Sequence, residues 1–149
     1  MRRNNFALIL LATATALALG PIPAAMAANA AAVVEADKLT WVPAPGLPPG
    51  ALMAVLYGDP TKEGNFTVRF KFPAGYEVPT HSHPTDEFLT IISGKGRMAF
   101  GEDAAAGTAQ KLVAGTFTSL PAGSWHRLWI DTAAVVELSS TGPFAVHLH

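Results

Sequence analysis

The chain has 149 residues, 50% of them hydrophobic and 14% charged, enough apolar material for the core of one domain and too little length for two. A net charge of −1 with no Lys/Arg run argues against a nucleic-acid partner. The absence of cysteine excludes disulfides, thiolate metal sites and a cysteine nucleophile.

Residues 1–27 read as a signal peptide. Arg2 and Arg3 give a basic start, residues 7–20 are apolar or small throughout, and Pro21 and Pro23 break the run before Ala25-Met26-Ala27, an A-x-A cleavage pattern. The run is shorter than the roughly 20 residues a bilayer span needs, so cleavage is expected rather than anchoring. The residues after Arg2-Arg3 suit the general secretory route better than twin-arginine export. The mature protein is expected to begin near Ala28, to carry a net charge of −3, and to be periplasmic or secreted without membrane attachment. Residues 28–51 are rich in Ala and Pro and end in Pro43, Pro45, Pro48 and Pro49. Proline excludes a regular helix or a central strand there, which leaves an arm lying on the surface of a domain at 52–149.

From Leu52 onward the pattern is that of β-strands. Phe66, Val68, Phe70 and Phe72 alternate with Thr67, Arg69 and Lys71, one face apolar and the other polar. Further strands are expected at 53–57, 88–93, 97–100, 110–113, 116–120, 126–130, 135–139 and 144–148. Turn signals separate them, among them Pro73-Ala74-Gly75, Gly94-Lys95-Gly96 as a hairpin turn, and Pro121-Ala122-Gly123. No helical periodicity is sustained after residue 35. Many short strands predict an all-β barrel or sandwich. Residues 88–92 are largely apolar on both faces, which calls for cover from the arm or from a second subunit, and a homodimer is expected.

Five histidines stand at 81, 83, 126, 147 and 149. In a strand, residues 81 and 83 face the same side about 6.6 Å apart, close enough for two imidazoles to share one ion. Val78 and His83 each precede a proline and are biased toward extended backbone. Glu87 keeps the parity of His83, and His126 follows the turn at 121–123. An isolated H-x-H is equally well a pair of exposed loop residues.

The wider pattern resembles the cupin superfamily. Gly75, His81, His83, Glu87 and Gly94 fit G-x5-H-x-H-x3-E-x6-G at every position and gap. Gly115, Pro121, Gly123 and His126 fit G-x5-P-x-G-x2-H-x3-N, where only the final Asn departs, being Ile130. The resemblance implies a single-domain antiparallel β-barrel or jelly roll. It also implies one divalent transition metal (Mn, Fe, Ni, Cu or Zn) held by His81, His83, Glu87 and His126, with one or two positions open to a small-molecule ligand or substrate. Ile130 implies an apolar wall where an amide often stands.

His147 and His149 read as a frayed terminus rather than a second metal site. Asp86 is expected to point outward, opposite Glu87. Trp125 is either a wall of the ligand site or ordinary core. The inward parity class (Phe70, Leu89, Ile91, Met98, Phe100 and Leu128) holds no acid or base, so no catalytic residue beyond the metal ligands can be named. Oxygenase- or lyase-type turnover of a small, metal-chelating molecule is the leading expectation. Capture of a metal or ligand without turnover is the alternative, and sugar isomerisation ranks below both.

Overall fold

The computed structural model describes residues 31–149; the expected signal peptide lies outside them. The described residues form nine strands: β1 (Val42–Pro43), β2 (Leu52–Tyr57), β3 (Gly64–Phe72), β4 (Glu77–Ser82), β5 (Glu87–Phe100), β6 (Gln110–Val113), β7 (Phe117–Leu120), β8 (His126–Gly142) and β9 (His147–Leu148). Every pairing is antiparallel. The only helical turns among the described residues are two three-residue 3₁₀ turns. The expected all-β barrel is what the structure shows.

Two strands are far longer than their sequence pattern suggests. β5 runs through Gly94-Lys95-Gly96, and β8 runs through 131–134 beside it. The expected hairpin turn is therefore absent. Three register shifts between Ile91 and Gly96 make this stretch a run of bulges, and Gly94 has φ +86°, where only glycine is unstrained. A turn and a bulge make the same demand on glycine, so sequence alone could not separate them.

The bulges allow β5 and β8 to bend from one sheet into the other. The first half of β5 and the second half of β8 join β7, β3, β2 and β1, while their other halves join β6, β4 and β9. Between the two layers lies the core. Phe66, Val68, Phe70 and Phe72 of β3, with Val136 beside Phe70 on the neighbouring β8, face Met98 and Leu128 across it, all buried. Burying each such side chain stabilises the fold by roughly 1.5–3 kcal/mol.

The arm lies along the first sheet. β1 pairs with β2, Ala44 is buried, Leu47 packs on the core, and the carbonyl of Pro48 accepts a hydrogen bond from the Tyr76 hydroxyl at 2.5 Å. Phe88 and Ile92 are each 43% exposed, and Phe117 beside them 62%, so the described part of the arm leaves that face uncovered. Phe100, expected inside, is 46% exposed. It is the last residue of β5 and lines a shallow groove with Trp125 instead. The expected strand at 144–148 shrinks to two residues.

A Cβ at Gly94 would collide with the carbonyl oxygen of Ala133 and lie 2.6 Å from the Cα of Ala134, while one at Gly75 (φ +77°) would meet nothing within 4 Å. Gly75→Ala should lose about 1–2 kcal/mol in urea unfolding, the left-handed backbone cost alone. Gly94→Ala should lose about 2 kcal/mol more than that, because the neighbouring strand must also move. Equal losses would show that no close approach exists at Gly94.

Candidate metal centre

β4 carries His81 and ends at Ser82, with His83 just beyond it. β5 opens with Glu87 and β8 with His126. Pro79 and Pro84 keep residues 78 and 83 extended, and the turn at 121–123 is fastened by the Gly123 amide, which donates to the carbonyl of His83 at 2.8 Å. Asp86, exposed as expected, accepts a hydrogen bond from the Ala122 amide at 2.9 Å. The two stretches that carry the candidate ligands are thereby tied to each other by short polar contacts.

The four candidate residues meet in the interior. His81, His83 and His126 each place a ring nitrogen within 4.8 Å of the others. The Oε2 of Glu87 lies 3.2 Å from the Nε2 of His83 and 3.4 Å from that of His126. All four are buried, Glu87 to 3% exposure and His126 to 1%. His147 and His149 are exposed and stand apart from the cluster.

The tautomers follow from the partners. The Nδ1 of His81 meets the carbonyl of Pro79 at 2.7 Å, that of His83 the carbonyl of Ala145 at 2.8 Å, and that of His126 the carbonyl of Ser124 at 3.0 Å. A carbonyl only accepts, so each Nδ1 carries the hydrogen. Each neutral ring then presents a bare lone pair at Nε2, the arrangement that metal-binding histidines adopt. Sequence reasoning missed these carbonyls, and Ala145 above all, because a backbone acceptor leaves no mark in residue identity.

One consequence is an unresolved pair of acceptors. His83 Nε2 and Glu87 Oε2 are buried and neither has a hydrogen-bond partner. Two lone-pair carriers facing each other in a dry interior are costly unless a cation lies between them. A proton on His83 would serve, and so would a metal ion. For His83, burial works against protonation, but contact with Glu87 and its negative charge outweigh it and raise the pKa. Burial lowers the pKa of His126. For His81, burial, then the neighbouring His126, lower it to about 4. The donor set fits a divalent ion: three neutral imidazoles and one carboxylate match Mn, Fe, Ni, Cu or Zn.

The cluster forms one end of a cavity of ≈280 Å³. The rest of its wall is apolar (Phe70, Leu89, Met98, Leu128 and Leu138 among others), apart from Thr61. Trp125 and Ile130 are not on this wall. Ile130 is core, 2% exposed, and its backbone N–H and C=O pair with Tyr76 and Gly75, so it does not form the apolar wall expected of it.

The family model of the ChrR cupin-like domain matches residues 29–145. The chain belongs to this cupin family. No curated protein matches the cupin in sequence. Among solved structures it resembles the polyketide cyclase RemF from Streptomyces resistomycificus, with 14% identity, TM-score 0.66, 80% of this chain and 85% of that one. It also resembles a sugar phosphate isomerase from Silicibacter pomeroyi, with 14% identity, TM-score 0.62, 79% of this chain and 82% of that one. A protein of unknown function from Streptococcus pyogenes shares 25% identity at TM-score 0.51, over 64% of this chain and 76% of that one. These likenesses show the fold, and the fold does not fix the reaction.

The pKa shifts give a sign for acid stability of the metal-free cupin. Unfolded, His81 takes up a proton near 6.5; folded, it resists until about 4. The unfolded chain therefore binds more protons between those values, and stability falls as pH drops through that window. His126 adds to the loss, while His83 opposes it. The melting temperature of metal-free protein should fall from about pH 7 to about pH 4.5, and His81→Gln should fall less over the same interval. An equally steep decline in His81→Gln would remove His81 from this account.

Proposed function

We propose that this cupin holds one divalent transition metal through His81, His83, Glu87 and His126, and that it acts on a small, largely apolar molecule with a chelating head group. The supporting observation is the cavity: apart from Thr61, its polar groups are the four candidate ligands, and every other wall side chain is apolar. A bound divalent ion would supply Lewis-acid polarisation and open positions for a chelating head. The residues do the rest. The imidazoles stay neutral through their Nδ1 bonds, Glu87 contributes one negative charge, and the apolar wall excludes water from the ligand's body. Three neutral rings, one carboxylate and a divalent ion sum to +1, so a monoanionic head group leaves the buried site uncharged. A sugar would leave its hydroxyls unpaired against this wall, which keeps isomerisation last.

With no acid or base among the lining residues beyond the candidate ligands, oxygenase- or lyase-type turnover centred on the metal is the leading reading. Metal or ligand capture without turnover is the second, and the same lack of a free base favours it. Protein isolated from its native compartment should carry about one metal ion per chain by elemental analysis. His126→Ala, His81→Ala and His83→Ala should each lose it while keeping a β-type circular dichroism spectrum, and His147→Ala should keep it. Unchanged metal content in all three ligand variants would overturn the site. A redox metal with oxygen uptake on phenolic or keto-acid substrates supports turnover, whereas a tightly held, redox-silent metal supports capture.

Export and assembly belong to the same reading. The intact mass of secreted protein should correspond to a start near Ala28, and retention of residues 1–27 would refute export. Self-association across the exposed Phe88, Ile92 and Phe117 face predicts a homodimer by light scattering, and a monomer mass at micromolar concentration would refute it.

A further inference from the structure

The three imidazoles are not anchored alike. His81 and His126 give their Nδ1 hydrogens to carbonyls two residues earlier, Pro79 and Ser124, so each is oriented by its own local chain. His83 gives its hydrogen to Ala145, 62 residues away in sequence. His83 lies beyond the last residue of β4, and besides the other candidate ligands its ring meets the segment that follows β8, which supplies the Nδ1 acceptor and a stacked ring. The Phe144 ring stacks on it, centroids 4.4 Å apart and planes 18° apart. That segment is itself pinned at both ends. The Phe144 amide donates to Pro60 at 2.7 Å, and the His149 amide to Thr80 at 3.0 Å. Phe144 packs edge-on to Phe66, and β9 pairs with His81 and Ser82 of β4. Phe144 and Val146 also form part of the cavity wall.

We propose that residues 144–149 are a strap that orients His83, with Phe144 as its positioning residue, so that seating of the strap and affinity for the metal are coupled. The proposal rests on the metal-centre reading above. Coupling of this kind is reciprocal: if a seated strap raises metal affinity, bound metal must hold the strap down by the same factor. A carbonyl cannot be removed by changing its side chain, so Phe144, whose ring and amide set the path of Ala145, is the residue to change. Partners that orient a metal-binding histidine typically contribute about 10- to 100-fold in affinity.

The test uses full-length protein stripped of metal and titrated with cobalt(II) against a competing chelator. Phe144→Ala should weaken cobalt affinity about 10- to 100-fold and alter the cobalt visible spectrum, and Phe144→Tyr, which keeps the stacked ring, should restore both. Leu112→Ala, a buried change on β6 remote from the strap, should lower the unfolding midpoint yet leave affinity and spectrum unchanged. Should Phe144→Ala not fold, hydrogen exchange on unsubstituted protein decides: cobalt should slow the Phe144 and His149 amides about tenfold or more while leaving Leu112 unchanged. Equal cobalt affinity in Phe144→Ala, or strap amides that exchange alike with and without cobalt, overturns the strap while the metal centre stands. Failure of unsubstituted protein to bind cobalt overturns the metal centre and the coupling together.

Discussion

The bend in the β5/β8 pair is the constraint on which the interior depends. Glu87 pairs with Ser140 at one end of this ladder, and Phe100 pairs with His126 at the other. In a straight antiparallel pair at about 3.4 Å per residue, those rungs would stand roughly 45 Å apart. Instead the Glu87 carboxylate lies 3.4 Å from the His126 ring. Only a ladder that folds back over itself can bring them together, and the register shifts between Ile91 and Gly96 are where it folds. Core packing and the candidate site therefore share one origin. The two apolar faces that close on each other are halves of the same strands whose starting residues supply the carboxylate and the third imidazole.

What the closed interior can hold is then decided by hydrogen positions. Three Nδ1 hydrogens are committed to backbone carbonyls, which fixes three bare Nε2 lone pairs around a buried carboxylate. Such a cluster is a sink for a cation. A proton can satisfy only part of it, since burial presses the pKa of both His81 and His126 down even as Glu87 raises that of His83. A divalent ion would satisfy all of it without protonating any ring. Backbone acceptors also make the arrangement insensitive to most side-chain changes, because the groups that aim His81 and His126 belong to the adjoining chain rather than to a side chain that could be replaced.

Much of this was legible in the sequence, for specific reasons. The alternation at 66–72 could only be a half-buried strand, and the structure shows Phe66, Val68, Phe70 and Phe72 all buried. The prolines around 81 and 83 force extended backbone, which is why the two rings come out near each other. The joining of 88–93 to 97–100, and of 126–130 to 135–139, was not legible, because glycine serves a turn and a bulge equally. Parity counting also failed at Phe100: side-chain alternation predicts an inward ring, but the strand stops there and the ring lies at the rim. Ile130 reads as pocket wall from its place in the motif, yet its buried backbone is spent on Tyr76 and Gly75. The first part of the strap was misread as a strand because Phe144 and Val146 alternate like one, while the Phe144 amide goes to Pro60 and the Ala145 carbonyl to His83 instead of to a neighbouring strand.

Ligand supply and ligand access are divided between different parts of the chain. Glu87 and His126 come from the starts of β5 and β8, which share one long ladder, His81 comes from the shorter-paired β4, and His83 lies just beyond β4. The outer wall of the cavity comes from Pro45–Leu47 of the arm, Pro60 and Thr61, and Phe144 and Val146 of the strap. Arm and strap approach each other directly: a Cβ placed on Gly46 would lie 3.7 Å from Val146. These segments have little regular pairing to lose, so substitutions there reshape the wall at small cost to the barrel. The same segments are not neutral toward the site, however, because the carbonyl of Ala145 is the acceptor for His83. If the strap orients His83 as proposed, a change that widens the cavity through Phe144 also loosens one imidazole, so the width of the cavity and the geometry of the candidate cation site cannot vary independently on the strap side, whereas on the arm side they can.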